Sequence, residues 1–190
     1  MKKMNRLIAA FSAVLLTVQI MPFIAKAETE TLISGDCEYT IQSDGTIWLS
    51  GYTGSNAELV IPETVNGFTV SAIGSSVFED CTSLVNVEIP SSVLSIRGNA
   101  FYGCANLASV ELSEGLQEIC YSAFQSCTSL TSITIPNSVT SIEMSAFSGC
   151  KSLADIVIPD SVESIGSSAF FVTAYLNENK NWTDGVLYIR

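Results

Sequence analysis

Residues 130–153 read LTSITIPNSVTSIEMSAFSGCKSL, and this stretch decides the fold because it returns, column by column, every 23 residues. Cys150 is preceded at that interval by Cys127, Cys104 and Cys81. Phe147 belongs to a series with Phe78, Phe101, Phe124 and Phe170. Ile142 belongs with Ile73, Ile96, Ile119 and Ile165, and Leu153 with Leu84, Leu107, Leu130 and Leu176. Independent columns sharing one period mark a solenoid. Each unit is too small to bury its own apolar edge and must do so against the units above and below it.

Within the unit, Ile133 and Ile135 alternate with Ser132 and Thr134, which predicts a short strand with one apolar and one polar face. Pro136 ends that strand because it has no N–H to give a ladder. Ser138 to Ile142 alternates again and predicts a second short strand. Ser145 to Cys150 is too short for a free-standing helix and predicts one helical or 3-10 turn that closes the coil. The residue after the buried Ile is Gly74, Arg97, Cys120, Glu143 or Gly166. A position that tolerates Arg and Glu is expected to point outward and to need no positive φ.

Working outward, the chain divides into an expected signal peptide at 1–27, an N-terminal β-hairpin cap at 28–55, about five solenoid turns at 56–176, and a C-terminal cap or truncated strand at 177–190. Lys2, Lys3 and Arg6 precede an apolar run from Leu7 to Ile24, and Ala25-Lys26-Ala27 fits a cleavage site. Pro22 and the small residues favour cleavage over a retained anchor. In the cap, Ser43-Asp44-Gly45 between β-rich runs predicts a hairpin over Asp36 to Tyr52. Extra residues centred on Asn66-Gly67 predict a longer loop in the first turn. At the far end Thr173 stands where the next Cys belongs, and Asn179 and Asn181 fall where Val and Ile should be, so the array is expected to stop. Val186 to Ile189 then reads as a terminal strand that either pairs with the last turn or lacks its hairpin partner.

The recurring pattern I-P-x-S-V-x-x-I-x-x-x-A-F-x-x-C-x-x-L, clearest from Ile135 to Leu153, resembles the BspA-like leucine-rich-repeat family over about Asn56 to Leu176. The opening Glu38-Tyr39-Thr40 resembles that family's usual lead-in. The resemblance implies an α/β repeat solenoid, predominantly β: a right-handed leucine-rich-repeat coil with parallel strands, a second short strand and a short helical or 3-10 turn per repeat. It implies a secreted or cell-surface protein, mostly bacterial, that mediates adhesion to host matrix proteins or other cells. Arg97, Cys120 and Glu143 depart from the Gly usual after the buried Ile. A D-G-V-L-Y-I stretch usually runs on into further sequence, so the resemblance implies a truncated or minimal member.

Composition narrows the function. Cleavage after Ala27 would remove four of the 8 bases and none of the 19 acids, leaving a net charge of −15. Such a surface repels nucleic acid and anionic membranes, so neither is an expected partner; the membrane enters only through the signal peptide. There is no His, which removes the commonest general base and metal ligand. No G-x-S-x-G elbow occurs and the carboxylates are scattered rather than paired across a cleft. An enzyme is not expected, nor a cofactor or metal. Cys81, Cys104, Cys127 and Cys150 are expected as a buried ladder of free thiols about 4.8 Å apart from rung to rung, since parallel Cβ vectors suit neither a disulfide nor tetrahedral zinc. A bridge between Cys37 and Cys120 is the remaining disulfide option. Asn181-Trp182-Thr183 matches a glycosylation sequon by chance. Glu79-Asp80 and Asn177-Glu178-Asn179 lack calcium-loop spacing and read as solvated loops.

The outward residues of the first strand form the candidate ligand-facing surface: Glu58, Val60, Asn86, Glu88, Ser109, Glu111, Ser132, Thr134, Asp155 and Val157. Five rungs make a patch on the order of 250 Å², far below the roughly 800 Å² per partner of a stable interface. Binding to a protein or cell-surface ligand is therefore expected to be weak or multivalent. A structural spacer or fragment with no ligand of its own is the alternative, and a carbohydrate binder using Trp48 and Trp182 is a lesser one.

Overall fold

The computed structural model describes residues 30–177, and beyond them the backbone of 182–183 and 186–187; the expected signal peptide lies outside the described residues. The chain winds into about five coils built from two strips of short strands. The first strip holds β4 (Glu58–Val60), β7 (Asn86–Ile89), β9 (Ser109–Leu112), β11 (Ser132–Thr134) and β13 (Asp155–Val157). The second holds β6 (Phe68–Ile73), β8 (Ser95–Ile96), β10 (Glu118–Ile119), β12 (Ser141–Ile142) and β14 (Ser164–Ile165). Every step along the second strip is parallel and in register, with Ile73, Ile96, Ile119, Ile142 and Ile165 partnered in turn. The second strand is shorter than its alternating pattern suggested, because the two residues that pair are soon followed by the turn.

The closing turn keeps the i→i+3 hydrogen bonding of a 3-10 turn, with Cys150 N donating to Phe147 O at 3.2 Å and Ser148 N to Ser145 O at 3.0 Å. It cannot extend into a helix because it is bracketed by left-handed residues. Ser76, Asn99, Ser122, Ser145 and Ser168 open it, and Asp80, Gly103, Ser126, Gly149 and Val172 close it, all at positive φ. The turns are themselves stacked: Phe101 N donates to Ala123 O, Phe124 N to Ala146 O and Phe147 N to Ala169 O, at 2.7–2.8 Å. Coils are thus bonded to their neighbours through the second strip and the turn, and through the first strip except between β9 and β11, which are not paired.

The apolar interior follows the sequence columns. Phe78, Phe101, Phe124, Phe147 and Phe170 form one stack with ring centroids 4.8, 5.0, 5.2 and 5.5 Å apart and planes within 13° of parallel. Phe101, Phe124 and Phe147 have no exposed surface. Burying side chains of this size stabilises by about 1.5–3 kcal/mol each, and an offset ring pair adds about 0.5–1.5 kcal/mol. That gain exists only when a neighbouring coil is present.

At the N-terminal end, β2 (Cys37–Ile41) and β3 (Ile47–Tyr52) form an antiparallel pair, β1 (Thr31–Ser34) adds to β2, and β3 joins β6 in parallel. Tyr52 covers Phe78 at 5.2 Å, so the stack has an aromatic lid. The Asn66-Gly67 insert is not a long loop. β5 (Thr64–Val65) pairs antiparallel with the start of β6, and Asn66 and Gly67 sit at φ 51° and 85°, the two left-handed residues of a tight hairpin turn.

At the other end, Thr173 stands in the column of the buried thiols. Its hydroxyl accepts from Leu176 N at 3.3 Å and donates to Phe170 O at 2.8 Å. It thereby caps the short helix α1 (Ala174–Asn177) where earlier coils carry a thiol. The terminal apolar run begins in β16 (Val186–Leu187), which pairs antiparallel with β15 (Trp182–Thr183), and residues 188–190 lie outside the described residues.

Candidate functional site

The first strip presents the candidate face. Its strands alternate exposed and buried positions, because Val87, Val110, Ile133 and Ile156 turn inward. All ten candidate residues are exposed. Glu58, Asn86 and Ser109 share one column, and Val60, Glu88 and Glu111 the next. Ser132 lies beside Asp155, and Thr134 beside Val157. Two shallow depressions mark this face. One, of about 280 Å³, is bounded by Glu58, Val60, Asn86, Glu88 and Glu111. The other, of about 270 Å³, is bounded by Ser109, Glu111, Ser132 and Thr134.

The second depression lies where the ladder is interrupted. The strip divides into a three-stranded sheet, β4-β7-β9, and a two-stranded one, β11-β13. The third coil carries Ser113 where the other coils carry Pro62, Pro90, Pro136 and Pro159, and Gly115 stands at φ 126°. Side chains tie the coils together here. Glu114 accepts from Asn137 N and Ser138 N, each at 3.1 Å, and Gly115 N donates to Ser138 Oγ at 2.9 Å. The backbone donor of Asn137 foremost holds the Glu114 carboxyl below its ordinary value. Sequence reasoning missed this clamp; the missing proline was its signal.

The six described cysteines are free. Cys104, Cys127 and Cys150 are buried, and each thiol donates to a Phe carbonyl one coil back: Phe78, Phe101 and Phe124, at 2.9, 3.1 and 3.0 Å. Hydrogen bonding with the Cys104 and Cys150 thiols, with burial, pushes the Cys127 thiol far up from its ordinary value. Cys81, expected in this buried ladder, is only half-buried and meets Ser83 Oγ at 3.2 Å, because no coil lies above it to continue the column. A Cys37–Cys120 bridge does not fit. Cys37 is in β2, and Cys120 follows β10 four strands away in the same sheet, roughly 19 Å at the usual strand spacing and well beyond disulfide reach.

The outer side of the second strip carries features the sequence did not disclose. Arg97 lies over the Trp48 ring, 3.9 Å from its centroid, so Trp48 serves a cation–π contact between cap and second coil rather than an open sugar platform. Trp182's side chain lies outside the described residues, as do the sequon's Asn181 and the Glu178-Asn179 loop. Further along, Tyr121, Met144 and Ile165 line an open groove of about 430 Å³. The residue after the buried Ile has negative φ throughout, as expected, but it is not uniformly outward. Gly74 is buried, and a Cβ there would lie 2.6 Å from Leu49 O, so close approach of the cap requires glycine at that coil.

Among the described residues no group of His, Cys, Asp or Glu is placed to hold a metal ion, and no helix is long and apolar enough to cross a membrane. What the geometry offers is an exposed, shallow, polar surface on a rigid frame.

Comparison with known proteins agrees with that frame. A family model described as the BspA type leucine-rich repeat region matches residues 53–181 in six copies. The crystal structure of a leucine-rich-repeat protein from T. pallidum is similar at 39% identity and TM-score 0.71, over 75% of this chain and 67% of that one. A leucine-rich cell surface protein from Faecalibacterium prausnitzii is similar at 30% identity and TM-score 0.61, over 79% of this chain and 48% of that one. A leucine-rich-repeat protein from Bacteroides capillosus is similar at 29% identity and TM-score 0.54, over 72% and 97%. The chain thus spans about two thirds of the first of these proteins and about half of the second. No curated protein matches significantly.

Proposed function

The chain belongs to the BspA-type leucine-rich-repeat family, and from that premise we propose that it is a non-catalytic, secreted or cell-surface recognition module whose first strand strip meets a protein or cell-surface ligand. The observation that carries this reading is the shared exposure of all ten candidate residues on one strip, with two depressions set among them. The similarity to a leucine-rich cell surface protein supports the location. Glu58, Glu88, Glu111 and Asp155 give the surface a negative cast, which favours a ligand with basic groups. Its depressions are shallow, so contact with one copy is weak and attachment depends on several copies together.

The test is a Glu88→Lys, Glu111→Lys double variant of the chain from residue 28, displayed in many copies on beads and offered to cognate cells and matrix. The reading expects bead attachment by the unaltered chain, its loss in the variant, and an unchanged melting temperature. A chain that attaches to nothing, or a variant that attaches equally well, would favour a structural spacer without a ligand.

A further inference from the structure

On the outer side of the second strip, the groove of about 430 Å³ runs from the third coil to the fifth. Tyr121, 47% exposed, and Met144, 54% exposed, give it apolar walls, and Ile165 completes them. Its shape is set by the backbone. Tyr121 lies down across the second coil, where a Cβ on Gly98 would run into its Cε1 and Cζ atoms. Glu143 is held beside it, with Oε2 accepting from Tyr121 N at 2.8 Å. Among the described residues the other carboxylate oxygen accepts no hydrogen bond. Gly166 follows Ile165 as Glu143 follows Ile142, and those isoleucines are register partners. A Cβ on Gly166 would run into Met144 N, so the fifth coil adds no side chain to fill the space.

Charge and size select the guest. Glu143 supplies a negative charge, and no Lys or Arg lines the groove. Glu118, the register partner of Ser141, stands exposed at the rim. An anion is therefore repelled, and a neutral guest leaves the carboxylate unmatched. The volume falls within the roughly 300–1,000 Å³ of sites that take a ligand-sized group. A folded partner would need about 800 Å² of contact, far more than three apolar side chains offer. The same strip already shows a chemistry that fits. Arg97 precedes Glu143 by two coils in one column, and its guanidinium lies over the Trp48 ring, 3.9 Å from the centroid. A guanidinium is planar and weakly hydrated, so it stacks on an aromatic ring while its aliphatic stem lies along apolar surface. Tyr121 and Glu143 offer such a ring together with a countercharge.

We propose that this groove holds an arginine side chain carried on an exposed, extended segment of a partner protein. The guanidinium meets the Tyr121 ring and the Glu143 carboxylate, and the stem runs along Met144 and Ile165. The site is separate from the acidic face of the first strip and does not depend on it.

The test is a nuclear magnetic resonance titration of the protein with an end-blocked Gly-Ser-Arg-Ser-Gly peptide and with the same peptide carrying citrulline, the uncharged isostere, in place of arginine. The arginine peptide should shift the Tyr121 ring and the Met144 and Ile165 methyl signals saturably, and the citrulline peptide should not. Tyr121→Leu and Glu143→Gln should each raise the dissociation constant about threefold or more with the melting temperature unchanged; glutamine keeps an oxygen for Tyr121 N. The Glu88→Lys, Glu111→Lys variant should bind the peptide as the unaltered chain does. Absence of saturable shifts at the three side chains overturns the proposal. Equal shifts with the citrulline peptide overturn it and assign the groove to an uncharged guest. Binding lost in the first-strip variant but kept in both groove variants overturns it and places the arginine on the other face.

Discussion

Replacing Phe124 by Ala should cost far more than replacing Phe170, although both belong to one column. Phe124 has no exposed surface and rings on both sides, at 5.0 and 5.2 Å. Among the described residues Phe170 has one ring neighbour, at 5.5 Å, and it is 5% exposed. Truncating a buried Phe costs about 3–5 kcal/mol, and each lost ring pair accounts for about 0.5–1.5 kcal/mol of it. Phe124→Ala should therefore fall near the top of that range and Phe170→Ala at or below its bottom. For a chain of this size the former lowers the melting temperature by roughly 10 °C or more, a large part of the usual 5–15 kcal/mol total, on the order given for native domains. Urea unfolding followed by circular dichroism measures both, with the slope checked for loss of two-state behaviour, a known risk in repeat arrays. Equal losses at the two positions, or a Phe124→Ala loss under about 1 kcal/mol, would refute the idea that stability resides in contacts between coils.

Three further outcomes follow from the same geometry. Ile133→Asp places an unpaired carboxylate in the interior, where Ile133 is 2% exposed, and should abolish the folded circular dichroism spectrum; Thr134→Asp, one residue on and exposed, should leave it intact. Glu114→Gln should destabilise at neutral pH. Because the folded carboxyl is held below its ordinary value of 4.5, that contribution is present above pH 4.5 and fades as pH falls through the lower folded value. Unfolding curves of the two chains should therefore converge in acid; a gap that persists there refutes the clamp. Gly115→Ala should lower the melting temperature, since φ there is 126° and a Cβ would run into the Ser91 carbonyl; an unchanged midpoint would show that the third coil relaxes freely.

How much of this could be read from the sequence varies with the kind of force involved. The inward columns were legible because burial in a stack repeats the same demand every 23 residues, and Phe, Ile and Leu answer it identically. The exposed face followed by alternation. The left-handed residues at the two ends of each turn were not recognised, since Ser and Val give no backbone signal as Gly does, although Asn99, Gly103 and Gly149 stand in those columns. The length of the Asn66-Gly67 insert suggests a loop, whereas the turn chemistry of the pair itself dictates a tight hairpin. The ends were least legible. Cys81 and Ile165 share columns with buried residues, yet among the described residues each has a neighbouring coil on one side alone, and periodicity does not register that difference. Trp48 with Arg97, and Glu114 with Asn137, are single contacts outside the period and left no pattern to find.

The central claim is that no coil holds itself together and that each is held by the next. Native-state hydrogen exchange at the Phe101, Phe124 and Phe147 amides tests it most directly, because each donates to a carbonyl of the following coil. The account predicts that all three open only with global unfolding, with one shared free energy that falls together in Phe124→Ala. Three different opening energies, with only the Phe124 amide responding to that substitution, would contradict it.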